Sequence, residues 1–346
     1  MFTATRFMSV VFGVAVAAIA AHGYAQVATP GAPTDAASLG LIELTDDLSR
    51  QQLFGEIQAA DRNGSANETA RAEEATQIFN LVGPFRFPGD TTYDSALNQP
   101  RVDSYFGVDI SHYTTSAFPI DLLKVRNVKF LYMKATQGTR GLDGKFAYFW
   151  KRTGDLPIGK KVHRGAYHFL AACKDAECQL DPANWGKLQA DTFLKVIRAN
   201  GGLLSTDMPP VVDLEWDKAT RTAPDRWQNY LAKDIAAVVD AFVIEVRTQL
   251  HRAPMIYTTS VWWNERMKAM PMTTTMKTTP LWLADYSKSS RASEVPRTIG
   301  DSKWALWQFT DSGTMATGLS DAFDTNIYKG SLPSLYKTLG VEEFAG

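Results

Sequence analysis

Two carboxylates stand at i and i+2 in the segment Met208-Pro-Pro-Val-Val-Asp-Leu-Glu-Trp216. Pro209 and Pro210 introduce a strand, Val211 and Val212 suit a buried one, and Asp213 and Glu215 follow. Alternate residues of a strand point to one face, two rises of about 3.3 Å apart. Carboxylates held that close cannot both ionise freely, so one of them holds its proton more tightly than usual. A carboxylic acid poised near neutral pH can protonate a leaving oxygen, the general-acid step that glycosidic cleavage requires. A solvated strand end with two unrelated acids would read the same way over three residues. The rest of the chain weighs between the two.

Asp109 lies near the end of an early strand in Phe106-Gly-Val-Asp-Ile-Ser-His112, and Asp324 and Asn326 lie in Asp321-Ala-Phe-Asp-Thr-Asn-Ile-Tyr328. The last strand of a barrel sits beside its first. Closure would therefore bring Asp109, Asp213, Glu215 and Asp324 to one mouth. Tyr167, His168, Trp216, Tyr257, Trp282 and Trp307 stand near these acids in the strand pattern, as does Asp285. Aromatic faces stack on sugar rings, and carboxylates bind hydroxyl and acetamido groups. Core packing is the competing use, expected for half or more of the nine Trp.

The elements that must position these residues alternate along the chain. Strands are expected at 105–110, 129–134, 163–169, 210–215, 255–258, 281–285 and 304–309, with helices at 146–154, 187–200 and 224–251. Gly201-Gly202 stops the second helix, and Pro224 suits the first turn of the third. Such alternation over about 240 residues predicts one α/β domain with a mainly parallel sheet, and the length favours closure into a barrel. Asp109, Lys134, His168, Asp213 and Asp285 all fall near strand ends, where the active-site face of a barrel lies.

With 346 residues, 45% hydrophobic and 21% charged, the chain has the composition of a globular protein with a sizeable core. The net charge of −1 excludes a strongly basic nucleic-acid binder. That total averages two unlike parts. Residues 26–100 carry eleven Asp/Glu and four Arg, a net of −7, whereas residues 101–346 carry 31 Lys/Arg and 26 Asp/Glu, a net of +5. Residues 1–25 read as an export signal: Arg6, an apolar run from Phe7 to Ala21, and small residues at Gly23 and Ala25. The run is too short to span a bilayer, and none follows that would. Residues 26–42 read as a tether and 43–80 as two short helices, near 46–59 and 67–79. This acidic extension is a spacer, a docking arm or a cover on the basic domain. Cys173 and Cys178, the only cysteines, form a local disulfide in an exported chain or remain two thiols. No metal-ligand spacing and no phosphate-cradling glycine loop occurs, so no metal and no cofactor are expected. A monomer is expected.

The segments FGVDISHY, FLYMKATQG, GAYHF, PVVDLEW, MIYTTSVWW, LWLADY, WALWQFTDSG and DTNIYKG occur in that order between about residues 105 and 330. Together they resemble the glycoside hydrolase family 25 muramidases, lysozymes of the N,O-diacetylmuramidase type. The resemblance implies a modified (β/α) TIM-like barrel over residues 101–340, preceded by a mostly disordered or short-helical extension. It implies hydrolysis of the β-1,4 bond between N-acetylmuramic acid and N-acetylglucosamine in peptidoglycan, with Glu215 as general acid and Asp213 assisting the 2-acetamido group. Asp109 and Asp324 would line the cleft, with Tyr167, His168, Trp216, Tyr257, Asp285, Trp307 and Asn326 binding substrate. Substrate-assisted attack with retention, a carboxylate nucleophile and an inverting water all remain open. A silent peptidoglycan-binding protein and a hydrolase of another N-acetylated glycan are the alternatives. Two departures stand out: Gln137, where the family commonly carries Glu, and the insertion around Cys173–Trp185, which would reshape the groove.

Overall fold

Eight runs of apolar and β-branched residues pair edge to edge until the last meets the first. The strands are β1 (Ser104–Ile110), β2 (Val128–Gln137), β3 (His163–Phe169), β4 (Val211–Asp213), β5 (Met255–Thr259), β6 (Leu281–Ala284), β7 (Trp304–Met315) and β8 (Phe323–Lys329). In the computed structural model, which describes residues 35–44, 79–82, 85–88, 93–94, 97–124, 128–174, 178–220, 222–286, 295–315 and 323–345, they close into a barrel in that order. Neighbours from β1 to β7 are parallel, whereas β8 is antiparallel to both β7 and β1. The seven residues between Met315 and Phe323 are fewer than the dozen or so that a parallel crossover needs, which accounts for β8 running antiparallel to β7. Asp324, at the start of β8, thereby lies opposite Asp109, near the end of β1. The expected closure is present; the reversed last strand was not anticipated.

Alternation along each strand sorts the apolar residues into two cores. Phe130, Tyr132, Val211, Met255, Tyr257, Trp282, Leu306 and Tyr328 fill the barrel. Val108, Leu131, Val212, Ile256, Leu283, Trp307 and Ile327 face outward and pack with the helices. Gly107 and Gly165 are inward positions whose Cβ atoms would overlap the rings of Phe130 and Tyr132. Glycine there makes room for aromatic rings inside a small barrel.

Helices α1 (Phe146–Gly154), α2 (Pro182–Ala199) and α3 (Ala232–Leu250) fill the crossovers before β3, β4 and β5. The Asp181 side chain caps α2 by accepting from the backbone amides of Ala183 and Asn184 at 3.0 and 3.3 Å, which meets two of the amides that a helix start leaves open. Gly201 and Gly202 end it at φ +90° and +76°. The third helix starts at Ala232, later than Pro224 suggested, because Asp225 instead holds a short 3-10 turn at Arg226–Asn229. Helices α4 (Ser260–Arg266) and α5 (Thr274–Lys277) precede β6, and α6 (Leu332–Leu339) closes the far end. Among the described residues, no helix is long and apolar enough to cross a membrane.

Part of the acidic extension is not a free tether. Ile42–Glu43 adds a parallel strand to Gly141–Leu142, which itself folds back on Thr136–Gln137 at the end of β2. Leu39 is buried in the outer core, and the Lys195 ammonium bonds its carbonyl. Residues 85–88 pair with 79–82 and with the far end of β7, at Thr314 and Met315. The expected signal segment and the expected helix near 46–59 lie outside the described residues. So does the one near 67–79, except for its last residue, Phe79, which begins a strand.

Candidate active site

The β4 ladder ends at Asp213, whose carbonyl accepts from Leu170 N at 2.9 Å on one side, while Leu214 N reaches Tyr257 O at 2.9 Å on the other. These bonds carry the strand's alternation one step past its end. Both Asp213 and Glu215 therefore line a cleft of about 370 Å³ at the carboxyl end of the barrel. Asp109, Lys134, Gln137, Tyr167, Trp216, Tyr257, Trp282 and Gln308 share that lining.

Glu215 is half-buried and Asp213 buried. Removal from water pushes the Glu215 carboxyl up to about 7; Lys134 pulls it down, and Asp109 and Asp225 push it further up. Burial also raises Asp213 well above the carboxylate range, with Glu215 the next contributor. The two act as a pair near neutral pH. Asp213 Oδ1 is buried without a hydrogen-bond partner among the described residues. A buried acceptor in that state costs free energy until a donor arrives.

Asp109 is fixed by amides. Its Oδ2 accepts from Gln308 Nε2 at 3.0 Å and Asn326 Nδ2 at 2.7 Å. Each amide is oriented from behind. Gln308 Oε1 accepts from the hydroxyls of Tyr257 and Tyr286 at 2.7 and 2.6 Å, and Asn326 Oδ1 accepts from Trp282 Nε1 at 2.9 Å. Burial raises both tyrosines well above the usual range, followed by Tyr286 and then the acids for Tyr257 and by the nearby acids for Tyr286, so both remain neutral donors.

The expected site residues divide by the face they occupy. Asp109, Asp213, Glu215, Tyr167, Trp216 and Tyr257 come together in the cleft. Asp324 and Asn326 are buried beside Asp109 and do not line it. His168 is on the outward face: Nδ1 meets Thr136 Oγ1 at 2.7 Å, Nε2 meets Gln189 Oε1 at 3.2 Å, and the ring stacks on Phe242. Burial lowers its pKa to about 3, so it is a neutral histidine, fully buried and outside the cleft lining. Trp307 is outward too, donating Nε1–H to Asp285 O at 2.9 Å. Asp285 is fully buried and holds Arg297 by an ion pair at 3.0 Å. The physical reason is one of parity: Tyr167 and His168 are adjacent in a strand, as are Trp307 and Gln308, and only one of each pair can face the barrel.

Trp282 and Lys134, noted in the sequence only as an aromatic and a strand-end residue, also line the cleft, and Gln308 lines it without having been singled out. Counting alternate positions marks Gln308 as the inward polar residue of WALWQF. The loop after Glu215 also walls the cleft. Asp217 accepts from Ala172 N at 3.0 Å and pairs with Arg226 at 2.5 Å, while Tyr230 OH accepts from Cys173 N at 2.9 Å. Cys173 and Cys178 are joined as a disulfide.

Residues 108–317 match the family described as glycosyl hydrolases family 25. Lysozyme M1 of Streptomyces globisporus is 28% identical over 232 residues, covering 66% of this chain and 69% of that protein. An N,O-diacetylmuramidase of Arthroderma benhamiae is 32% identical over 195 residues, 55% of this chain and 71% of its own. The structure of a family 25 lysozyme from Aspergillus fumigatus superposes with a TM-score of 0.53 at 27% identity, covering 69% of this chain and all of that one.

Proposed function

This chain belongs to glycosyl hydrolase family 25 and is a glycoside hydrolase of the muramidase type; from that premise we propose that it cleaves the β-1,4 bond between N-acetylmuramic acid and N-acetylglucosamine in peptidoglycan. The observation that carries the proposal is the Asp213–Glu215 pair on the cleft wall, one acid poised near 7 and the other presenting an unpartnered oxygen. Glu215 protonates the leaving glycosidic oxygen. Asp213 Oδ1 accepts the acetamido N–H, which favours its ionised form and turns the acetamido carbonyl oxygen toward C1. That oxygen bonds to C1 as the C1–O bond breaks. The Glu215 carboxylate then takes a proton from water, which adds at C1 and regenerates the acetamide with net retention. Asp109, with Asn326 and Asp324 behind it, holds sugar hydroxyls across the cleft from Asp213.

Replacing Glu215 with Gln should lower release of muropeptides from purified wall by about 1000-fold or more, with the melting temperature kept. Retained activity sinks the assignment of the acid. Proton NMR of the first-formed anomer tests the route, and an initial α-anomer excludes retention. We further propose export. Arg6, the apolar run and Gly23-Tyr24-Ala25 support it, as does a disulfide, which persists in oxidising compartments. Amino-terminal sequencing of the mature protein should begin at Gln26.

A further inference from the structure

The cleft contains one buried cation that the reaction as written does not use. Lys134 is 7% exposed, and its Nζ donates to Gln137 Oε1 at 2.7 Å while lying 5.0 Å above the Phe169 ring. Both partners are neutral, and no carboxylate of the described residues pairs directly with the ammonium. A buried charge needs compensation. Here the compensating groups are the acids that face it across the same cleft, Asp213 and Glu215.

We propose that Lys134 is a positioning residue for the hydrolysis: Gln137 and Phe169 aim its ammonium at the Asp213–Glu215 pair, and the neutral side chain at 137 leaves that charge undivided. The proposal rests on the reading of Glu215 as the acid. Without Lys134, three acids would face one another with no cation between them, and the pair would hold its protons too tightly to shed the one that Asp213 must lose. An acid at 137, within bonding distance of Nζ, would have a similar effect by claiming the ammonium for itself.

The other charges around the pair are arranged differently. Asp109 from β1 and Asp225 from the loop after β4 both oppose ionisation of Glu215. Asp324 lies beyond Asp109 on β8. Tyr167 and Tyr257, from β3 and β5, remain neutral because burial raises their pKa well above the usual range. At the rim, Arg226 is already paired with Asp217, while Lys174 and Lys218 sit nearer solvent. Lys134 is the cation that acts on both members of the pair.

The test uses the full chain with Gln137→Glu, Lys134→Met and Lys134→Arg. Two readouts are taken: the pH profile of kcat/KM on purified wall, and a carbon-13 NMR titration of the Glu215 carboxyl without substrate. In Gln137→Glu and Lys134→Met, the alkaline limb and the Glu215 midpoint should both rise by about 1 unit. Lys134→Arg should keep both near wild type. Unmoved midpoints in folded Gln137→Glu and Lys134→Met overturn the proposal, whatever happens to the rate. Should Lys134→Met fail to fold, Gln137→Glu decides alone, since it adds charge without removing the lysine. Shifted NMR midpoints in a chain that does not hydrolyse wall would sink the substrate reading and leave the electrostatic role standing.

Discussion

Glu215 occupies a field that opposes its ionisation, and that has consequences for both rate and stability. As general acid it must be protonated, so activity should fall as pH rises through about 7, visible as the alkaline limb of kcat/KM. The stability effect has the opposite sign to that of a salt-bridged carboxylate. The folded chain keeps a proton that the unfolded chain releases between the ordinary glutamate value of 4.5 and about 7. Glu215 therefore lowers stability progressively across that window and fully above it. Glu215→Gln should be more stable than wild type at pH 8, on the order of 2 kcal/mol allowing for partial exposure, with no difference by pH 4. Thermal melts at both pH values check this. Asn326→Leu should cost about 1–3 kcal/mol, because it removes a donor from buried Asp109 and the acceptor of Trp282 Nε1–H. The contrast between His168 and Gln308 shows where residue types mislead: imidazole and indole invite a functional reading, but the neighbour's parity decides which side chain meets substrate.

At the scale of elements, the barrel's narrow interior explains two glycines that a motif reading treats only as spacing. Gly107→Ala or Gly165→Ala would drive a methyl into the Phe130 or Tyr132 ring, and each should lower stability by about 1–3 kcal/mol in urea unfolding. The insertion at Cys173–Trp185 is tied to the loop after Glu215 through Ala172 and Cys173, so the disulfide joins a residue packed on the outer core to the segment whose Lys174 lines the cleft wall. Replacing both cysteines with Ser should leave the melting transition cooperative and change KM on glycans of different length more than kcat. Equal kinetics on all lengths would count against a role for this wall in substrate choice.

Over the whole molecule, the unlike charges of the two parts, −7 and +5, first suggested a tether ahead of a separate catalytic unit. Residues 35–44 instead add a strand beside the β2 hairpin and bury Leu39. That hairpin carries Gln137, so the extension braces the segment that holds Lys134. Hydrogen exchange should find the amides of Ile42 and Leu44 protected, since they donate to the carbonyls of Arg140 and Leu142 at 2.8 and 2.9 Å. Leu39→Ala should cost about 2 kcal/mol, and loss of that protection without loss of the barrel would mark the docking as separable.

The alternation of strands and helices and the acidic pair at β4 were readable from the chain alone. Each of these is local: hydrophobic period, turn residues and spacing carry it. The meeting of the first and last strands came only with folding, and with it the direction of β8, the division of each strand into inward and outward residues, and the pairing of Lys134 with Gln137 across a bulge in β2. These depend on closure. A ring of strands sets one parity for all its members, and a single bulge shifts which residues face the cleft. His168, Asp285 and Trp307 fell on the wrong side of that count, whereas Asp213 and Glu215 did not, because their common face holds in whichever direction the strand is turned.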